Sequence, residues 1–303
     1  MLTKKITKQK FKILNMKNLK NIVTGILFIL SAFTLNAQTG CIQGNCEKGT
    51  GTFKWEDGSI YTGKYKKGLR NGSGVYTFAS GEKYTGKFKN DYYEGKGTLV
   101  YADGGSYVGE FSAGKLDGKG VYKDANGDTY TGTFVNNNKE GKGVYTFANG
   151  SKYTGEFKND KYNGKGVLIY NTGEKYTGDF IDNSFHGSGI YTMPSGDNYT
   201  GDFKNGKYEG RGTYIYSTGD KYVGDYIDNT MNGKGVFTFA NGTQYTGDFK
   251  NGAYNGYGIM ITADGDKYEG EYKNNKRDGI GTYYFKNGTI QKGRWKNDNY
   301  LGE

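Results

Sequence analysis

One proline, one histidine, two cysteines and two tryptophans are all that 303 residues contain of these four types. With His186 as the sole histidine, the chain has no His-Glu-x-x-His metal motif and no Cys–His pair, and Gly-x-Ser-x-Gly and a phosphate loop ending in Gly-Lys-Ser/Thr are absent as well. These absences argue against an enzyme and call for no metal and no cofactor. Two cysteines with no histidine near them make a poor zinc set. Hydrophobic residues reach only 34%, little for a thick core, whereas glycine (53) and tyrosine (30) are abundant.

The first 37 residues differ from the rest. Seven lysines and no acids accompany an apolar run from Ile22 to Leu35, followed by Asn36-Ala37-Gln38. A basic stretch, a short apolar stretch and a small-residue boundary predict a signal peptide over 1–37, cleaved after Ala37. Met1 and Met16 can each begin such a leader. Export to a periplasm, an outer surface or the medium is therefore expected. The leader also accounts for most of the formal net charge of +10: beyond it, 34 basic face 31 acidic side chains, a net of +3. Interleaved charges of that balance form no basic face, so no nucleic-acid partner is expected. Cys41 and Cys46 fall just after the boundary, where a C-x4-C pair can close a disulfide in an oxidising compartment. Lipidation of Cys41 would want an apolar residue at position 38, which is Gln38.

What fills the remainder is a motif repeating every 23 residues without insertion or deletion. Tyr61-x-Gly63, Gly72-x-Gly74 and Gly81 are followed by Tyr84-x-Gly86, and the pattern returns at Tyr153-x-Gly155 and Tyr199-x-Gly201. Of the 53 glycines, 45 occupy four fixed positions of the repeat, counting a degenerate first copy at Gly49, Gly51 and Gly58. A fifth position holds only Gly, Asn or Asp (Gly68, Asp91, Gly114, Asn137, Asp160, Asn183 and onward), the residues that tolerate positive φ, and reads as a turn. A second turn lies at Asn149-Gly150, Asn241-Gly242, Asp264-Gly265 and their equivalents, and Pro194 sits beside one of them. Two turns per 23 residues predict two short antiparallel strands per repeat. Period-2 alternation puts tyrosine, phenylalanine and glycine on one face and Thr, Val, Ile and Lys on the other. Each glycine leaves a gap into which a ring can lie flat, giving a thin core without a second layer.

Tyr199-Thr-Gly201-Asp-Phe203-Lys-Asn-Gly206-Lys-Tyr-Glu-Gly210-Arg-Gly212 resembles the MORN repeat, and the resemblance covers 61–303 plus a degenerate unit from about 41 to 60. It implies an all-β fold: an elongated, single-layered antiparallel sheet of 23-residue β-hairpins, on the order of 100 Å long at roughly 4.8 Å per strand. The domain plan is thus 1–37 signal peptide, 38–60 cysteine-containing segment with a degenerate repeat, and 61–303 repeat array. Two departures from the family stand out. Where MORN repeats often carry Trp, only Trp295 keeps it, and where they often carry His before Gly-x-Gly, only His186 does.

His186, placed on a repeat position, reads as structural. The acids that share its position could form a carboxylate ladder for cations, but Glu94-x-Lys96, Asp117-x-Lys119, Glu140-x-Lys142 and Glu209-x-Arg211 read better as same-face charge pairs in solvent. Asp124 and Thr262, where other repeats carry Phe, Tyr or Met, and Tyr257 and Ile280, which replace the usual Lys or Ser, are pointers to specificity. The expected function is an exported, non-catalytic interaction scaffold for a protein partner in a bacterial envelope. Membrane lipid or cell-surface glycan on the tyrosine-rich face is the alternative, and the open final repeat leaves room for end-to-end self-association.

Overall fold

The computed structural model describes residues 38–303, and the expected signal peptide at 1–37 lies outside them. Among the described residues there is no helix. Twenty-four strands, from β1 (Gln38–Gly44) to β24 (Asn299–Gly302), form one open antiparallel sheet of successive hairpins, as the repeat predicts. The chain falls into two compact units: the first runs to Asn126 and includes Thr133–Asn138, and the second comprises Gly127–Gly132 and Lys139–Glu303.

In the second unit, β11 (Lys152–Lys158), β12 (Lys161–Ile169) and β13 (Lys175–Ile181) show how one repeat is built. Asn159 and Asp160 join β11 to β12 with φ of 48° and 66°, a two-residue turn with both central residues left-handed, which suits the twist of a hairpin. The other turn lies where the sequence places it and is longer. Tyr170 N–H donates to the Glu174 carbonyl and Gly173 N–H to the Tyr170 carbonyl, both at 2.9 Å, so the loop has three residues and only Gly173 (φ 98°) is left-handed. The Asn or Asp before the glycine acts through its side chain instead: Asn149 Oδ1 accepts the Ser151 N–H at 2.9 Å.

The ladder also carries a feature that period-2 alternation does not reveal. Between β11 and β12 the register steps from Gly155↔Gly166 to Glu156↔Asn163, leaving Gly164 and Lys165 as extra residues on β12. Gly164 takes φ 65°, which an L side chain rarely adopts. On its other side β12 pairs straight through, Gly164↔Phe180 and Gly166↔Gly178. Because two residues are inserted, parity is kept and the aromatic face stays continuous across the bulge. The same step occurs in the first unit between Gly63 and Tyr65 and between Gly86 and Lys87.

The leading tyrosine occupies the space that the glycines leave. Tyr153 is 0% exposed, and its ring lies so close on two glycines that a Cβ at Gly155 would meet its Oη at 2.4 Å and one at Gly166 its Cε2 at 2.6 Å. Its hydroxyl donates to the Glu156 carbonyl at 2.8 Å, beside the bulge where the ladder changes register. Tyr162 stacks on the ring at 3.7 Å, and Phe157 and Phe180 meet it edge-on at 5.1 and 5.0 Å. Such pairs contribute about 0.5–1.5 kcal/mol each beyond burial. The first unit repeats this at Tyr84, with Tyr93 stacked at 3.7 Å and the hydroxyl on the Lys87 carbonyl at 2.9 Å. One face is therefore the core.

Gly166→Ala must push against the Tyr153 ring and is expected to cost about 1–3 kcal/mol. Thr154→Ala, on the opposite and exposed face, should stay within about 0.5 kcal/mol. Urea unfolding midpoints of the two variants against the parent decide the matter.

Candidate functional site

The sequence-defined tyrosines and glycines belong to the core rather than to a recognition surface. Tyr61, Tyr84, Tyr153 and Tyr199 are all 0% exposed, and Gly63, Gly74 and Gly86 lie beneath such rings while Gly155 and Gly201 do the same in the second unit. Gly72 (φ 106°) marks a bulge and Gly81 (φ 96°) a turn. No ring of this set is open to a sugar or a lipid headgroup. Cys41 and Cys46 are joined as a disulfide, in β1 and directly after it. His186 pairs across the ladder with Asp179, and its carbonyl accepts the Tyr176 hydroxyl at 3.3 Å.

Two sets of side chains tie each repeat to the next. The left-handed Asn or Asp of one turn accepts the backbone N–H of a residue 21 positions earlier, as Asn183 does for Tyr162 at 2.7 Å and Asn137 for Leu116 at 2.8 Å. The acid after the three-residue loop reaches the other way, to the backbone N–H of a residue 20 positions later in the next such loop. Asp266 Oδ1 accepts the Lys286 N–H and its Oδ2 the Tyr283 hydroxyl, both at 2.8 Å, and these bonds hold its carboxyl below the usual range.

Three cations stand within the aromatic layer, a feature that pattern reading missed. Arg70, Lys139 and Arg277 occupy the position at which other repeats stack Tyr, Phe, Leu or Met on the leading tyrosine. Arg70 lies 4.9 Å from the Tyr76 ring, Lys139 5.6 Å from that of Tyr130 and Arg277 4.5 Å from that of Trp295. Each meets a carboxylate 21 residues later: Arg70–Asp91 at 2.9 Å, Lys139–Asp160 at 3.4 Å and Arg277–Asp298 at 3.3 Å. Lys139 is the most enclosed, with its side chain 4% exposed. The sequence carried the signal: a cation is always followed at +21 by Asp, whereas Tyr93, Leu116, Tyr162, Phe185, Tyr208, Met231 and Tyr254 are followed by Gly or Asn. The negative charge appears only where a positive one needs it.

On the exposed face the charges are arranged differently from the same-strand pairs expected. The bulge separates Glu94 from Lys96, and left-handed Gly141 stands between Glu140 and Lys142. Glu94 Oε2 instead accepts the Ala113 N–H at 3.2 Å and Glu140 Oε2 the Asn159 N–H at 3.0 Å, each across to the following repeat. The lysines after the bulge reach across the ladder to an acid on the next strand, Lys165–Asp179 and Lys234–Asp248 both at 2.6 Å. Those acids also accept an N–H released by the bulge, as Asp179 Oδ2 does from Ser188 at 3.2 Å. Among the described residues no three His, Cys, Asp or Glu side chains are grouped to hold a metal.

Within the second unit this face holds an open groove of about 1030 Å³. One wall is a row of Val144, Thr154, Val167, Thr177, Ile190 and Thr200; the other carries Lys142, Glu156, Lys165 and Ser188. Between them the floor is bare backbone at Gly143, Gly155, Gly166, Gly178, Gly189 and Gly201. The rings beneath those glycines close the groove from behind, so the feature that packs the core also hollows the opposite face.

The MORN repeat profile matches ten consecutive 23-residue segments, from 61–83 through 268–290. The chain belongs to the MORN-repeat family. No curated protein matches it. Among solved structures, it is similar to the TCP10 domain of Danio rerio CPAP in complex with a STIL peptide, at 10% identity and a TM-score of 0.39, covering 78% of this chain and 99% of that one. The TCP10c domain of Drosophila melanogaster Sas-4 gives 12% identity and a TM-score of 0.31, over 59% and 99%. At those scores neither likeness bears on function.

The departures within the MORN array resolve into two kinds. Asp124 and Thr262 serve their own turns: Asp124 Oδ1 accepts the Asn126 N–H at 2.9 Å and Thr262 Oγ1 the Asp266 N–H at 3.1 Å. Tyr257 and Ile280 stand in solvent, 54% and 55% exposed.

Two outcomes follow for the MORN core. Burial, the main cause, pushes the Tyr61 and Tyr107 phenols from 10.0 up to about 12, and those of Tyr153 and Tyr199 are raised as well. Unfolded tyrosine ionises near pH 10 while the folded rings hold their protons, so stability is intact below pH 10 and is lost as pH rises through about 12. Tyrosinate absorbance and circular dichroism should change together and more steeply than a single ionisation; independent, shallow titrations would contradict this. Secondly, Lys139→Tyr and Asp160→Asn should each destabilise, and the double variant, which recreates the Tyr162/Asn183 arrangement, should recover. A double-mutant cycle should show a coupling of about 0.5–3 kcal/mol.

Proposed function

We propose that this protein is an exported, non-catalytic scaffold that binds a protein partner in the groove of its second unit. The groove itself is the observation that carries the reading: about 1030 Å³ lined by Val, Thr and Ile side chains above a glycine floor. Ile190 on its wall is 47% exposed although the apolar core lies on the other face. Apolar side chains held in rows on an otherwise charged surface favour an apolar or extended protein segment over a charged small ligand. The MORN family assignment agrees with a repeat scaffold, whose partners meet the same geometry at successive steps. The basic, apolar leader at 1–37 supports export to the envelope or beyond, where a disulfide such as Cys41–Cys46 persists.

A photo-crosslinking residue at position 190 of the full chain, expressed in its own cells, tests the reading. One dominant protein should be captured there and not by the same residue at 290, which is more open in the parent (Ile290, 59% exposed). Ile190→Asp, combined with a crosslinker at 177, should abolish capture without changing the unfolding midpoint. Equal capture at 190 and 290, or none at either, would count against the groove.

A further inference from the structure

We infer that the occupant of this groove is a protein segment in the polyproline II conformation with two acidic residues three positions apart. The inference rests on the scaffold reading and specifies its partner. The groove crosses the strands rather than following one. Val144, Thr154, Val167, Thr177, Ile190 and Thr200 are cross-strand partners in succession, one from each of six consecutive strands. The floor has no free ladder: Gly155 pairs with Gly143 and Gly166, and Gly178 with Gly166 and Gly189. A β-strand laid here would find no free ladder on the floor and only the Thr154, Thr177 and Thr200 hydroxyls along the wall, and each N–H or C=O buried without a partner would cost about 1–3 kcal/mol. A polyproline II segment keeps its backbone in solvent, and each proline removes a donor.

The repeat distances agree with that choice. Two strands at about 4.8 Å give about 9.6 Å per MORN repeat. Polyproline II has three residues per turn at about 3.1 Å each, hence about 9.3 Å per turn. Every third residue therefore returns to the same wall, with a drift of about 0.3 Å per repeat. An extended strand returns every second residue, at roughly 6.8 Å, and an α-helix every turn, at roughly 5.4 Å; both fall out of step. The charged wall sets the third residue. Lys142 and Lys165 stand one repeat apart, each opposite an acid across the ladder, Glu156 and Asp179, and Asp179 is also held by the Ser188 N–H. Lys165 remains 72% exposed and, as an ammonium with three donors, can serve a ligand carboxylate as well. Carboxylates three residues apart on polyproline II meet both lysines.

The test uses the full mature chain and three labelled twelve-residue peptides: repeating Pro-Pro-Glu, the same composition with irregularly spaced acids, and repeating Pro-Pro-Lys. Fluorescence polarisation should show the in-step acidic peptide binding about tenfold tighter than either other, less so at high salt. Lys142→Glu with Lys165→Glu should transfer the preference to the lysine peptide, and Ile190→Asp should weaken all three. Equal affinity for regular and irregular spacing, or no binding of any peptide at millimolar concentration, overturns the inference. Crosslinked capture of a partner at position 190 by a chain that binds none of the peptides would overturn it while leaving the scaffold standing. Absence of both would remove both.

Discussion

Everything else in this sheet depends on one contact, a tyrosine ring lying flat on the backbone of two paired glycines. The ring takes the volume that two side chains would have filled, which makes a single layer of strands thick enough to exclude water on one side. Tyr153 also closes the bulge with its hydroxyl, so packing and backbone satisfaction are met by the same residue. Without glycine at 155 and 166 the ring has nowhere to lie, and without the ring the glycines are a weak strand with nothing buried. Neither half is of use alone, which is why the motif recurs as a block.

Much of this was legible beforehand because a 23-residue period samples the same physics ten times over. Strand count, turn positions and the sorting of faces all follow from which residue types recur at each step. The bulge at Gly164 was not legible, because an insertion of two residues leaves period-2 alternation intact and hides inside it. For that reason Glu94 and Lys96 looked like neighbours and are not. The turn at Asn149-Gly150 was placed correctly but its length was not legible, since a two-residue and a three-residue loop draw on the same residues. The groove was out of reach for a different reason: it is defined by what glycine leaves absent on the far side of the sheet, and no residue announces it.

The aromatic layer also shows how a core this thin admits charge. Arg70, Lys139 and Arg277 replace a stacked ring with a cation that touches the faces of its neighbours while its head meets a carboxylate. The stem supplies apolar cover and the ring faces supply a favourable electrostatic surface. The carboxylate comes from the following turn, so the charge is balanced only when two successive repeats are both in place.

That dependence has a genetic consequence. Tandem repeats of equal length invite unequal recombination, which removes or duplicates whole units and rejoins one repeat to a new neighbour. Where the stacked residue is Tyr, Phe, Leu or Met, a new neighbour bearing Asn or Gly in the turn is as good as the old one. After Arg70, Lys139 or Arg277 only a neighbour bearing Asp will do. Three junctions of the array are thereby keyed, and a lineage that gains or loses repeats should do so at the unkeyed ones.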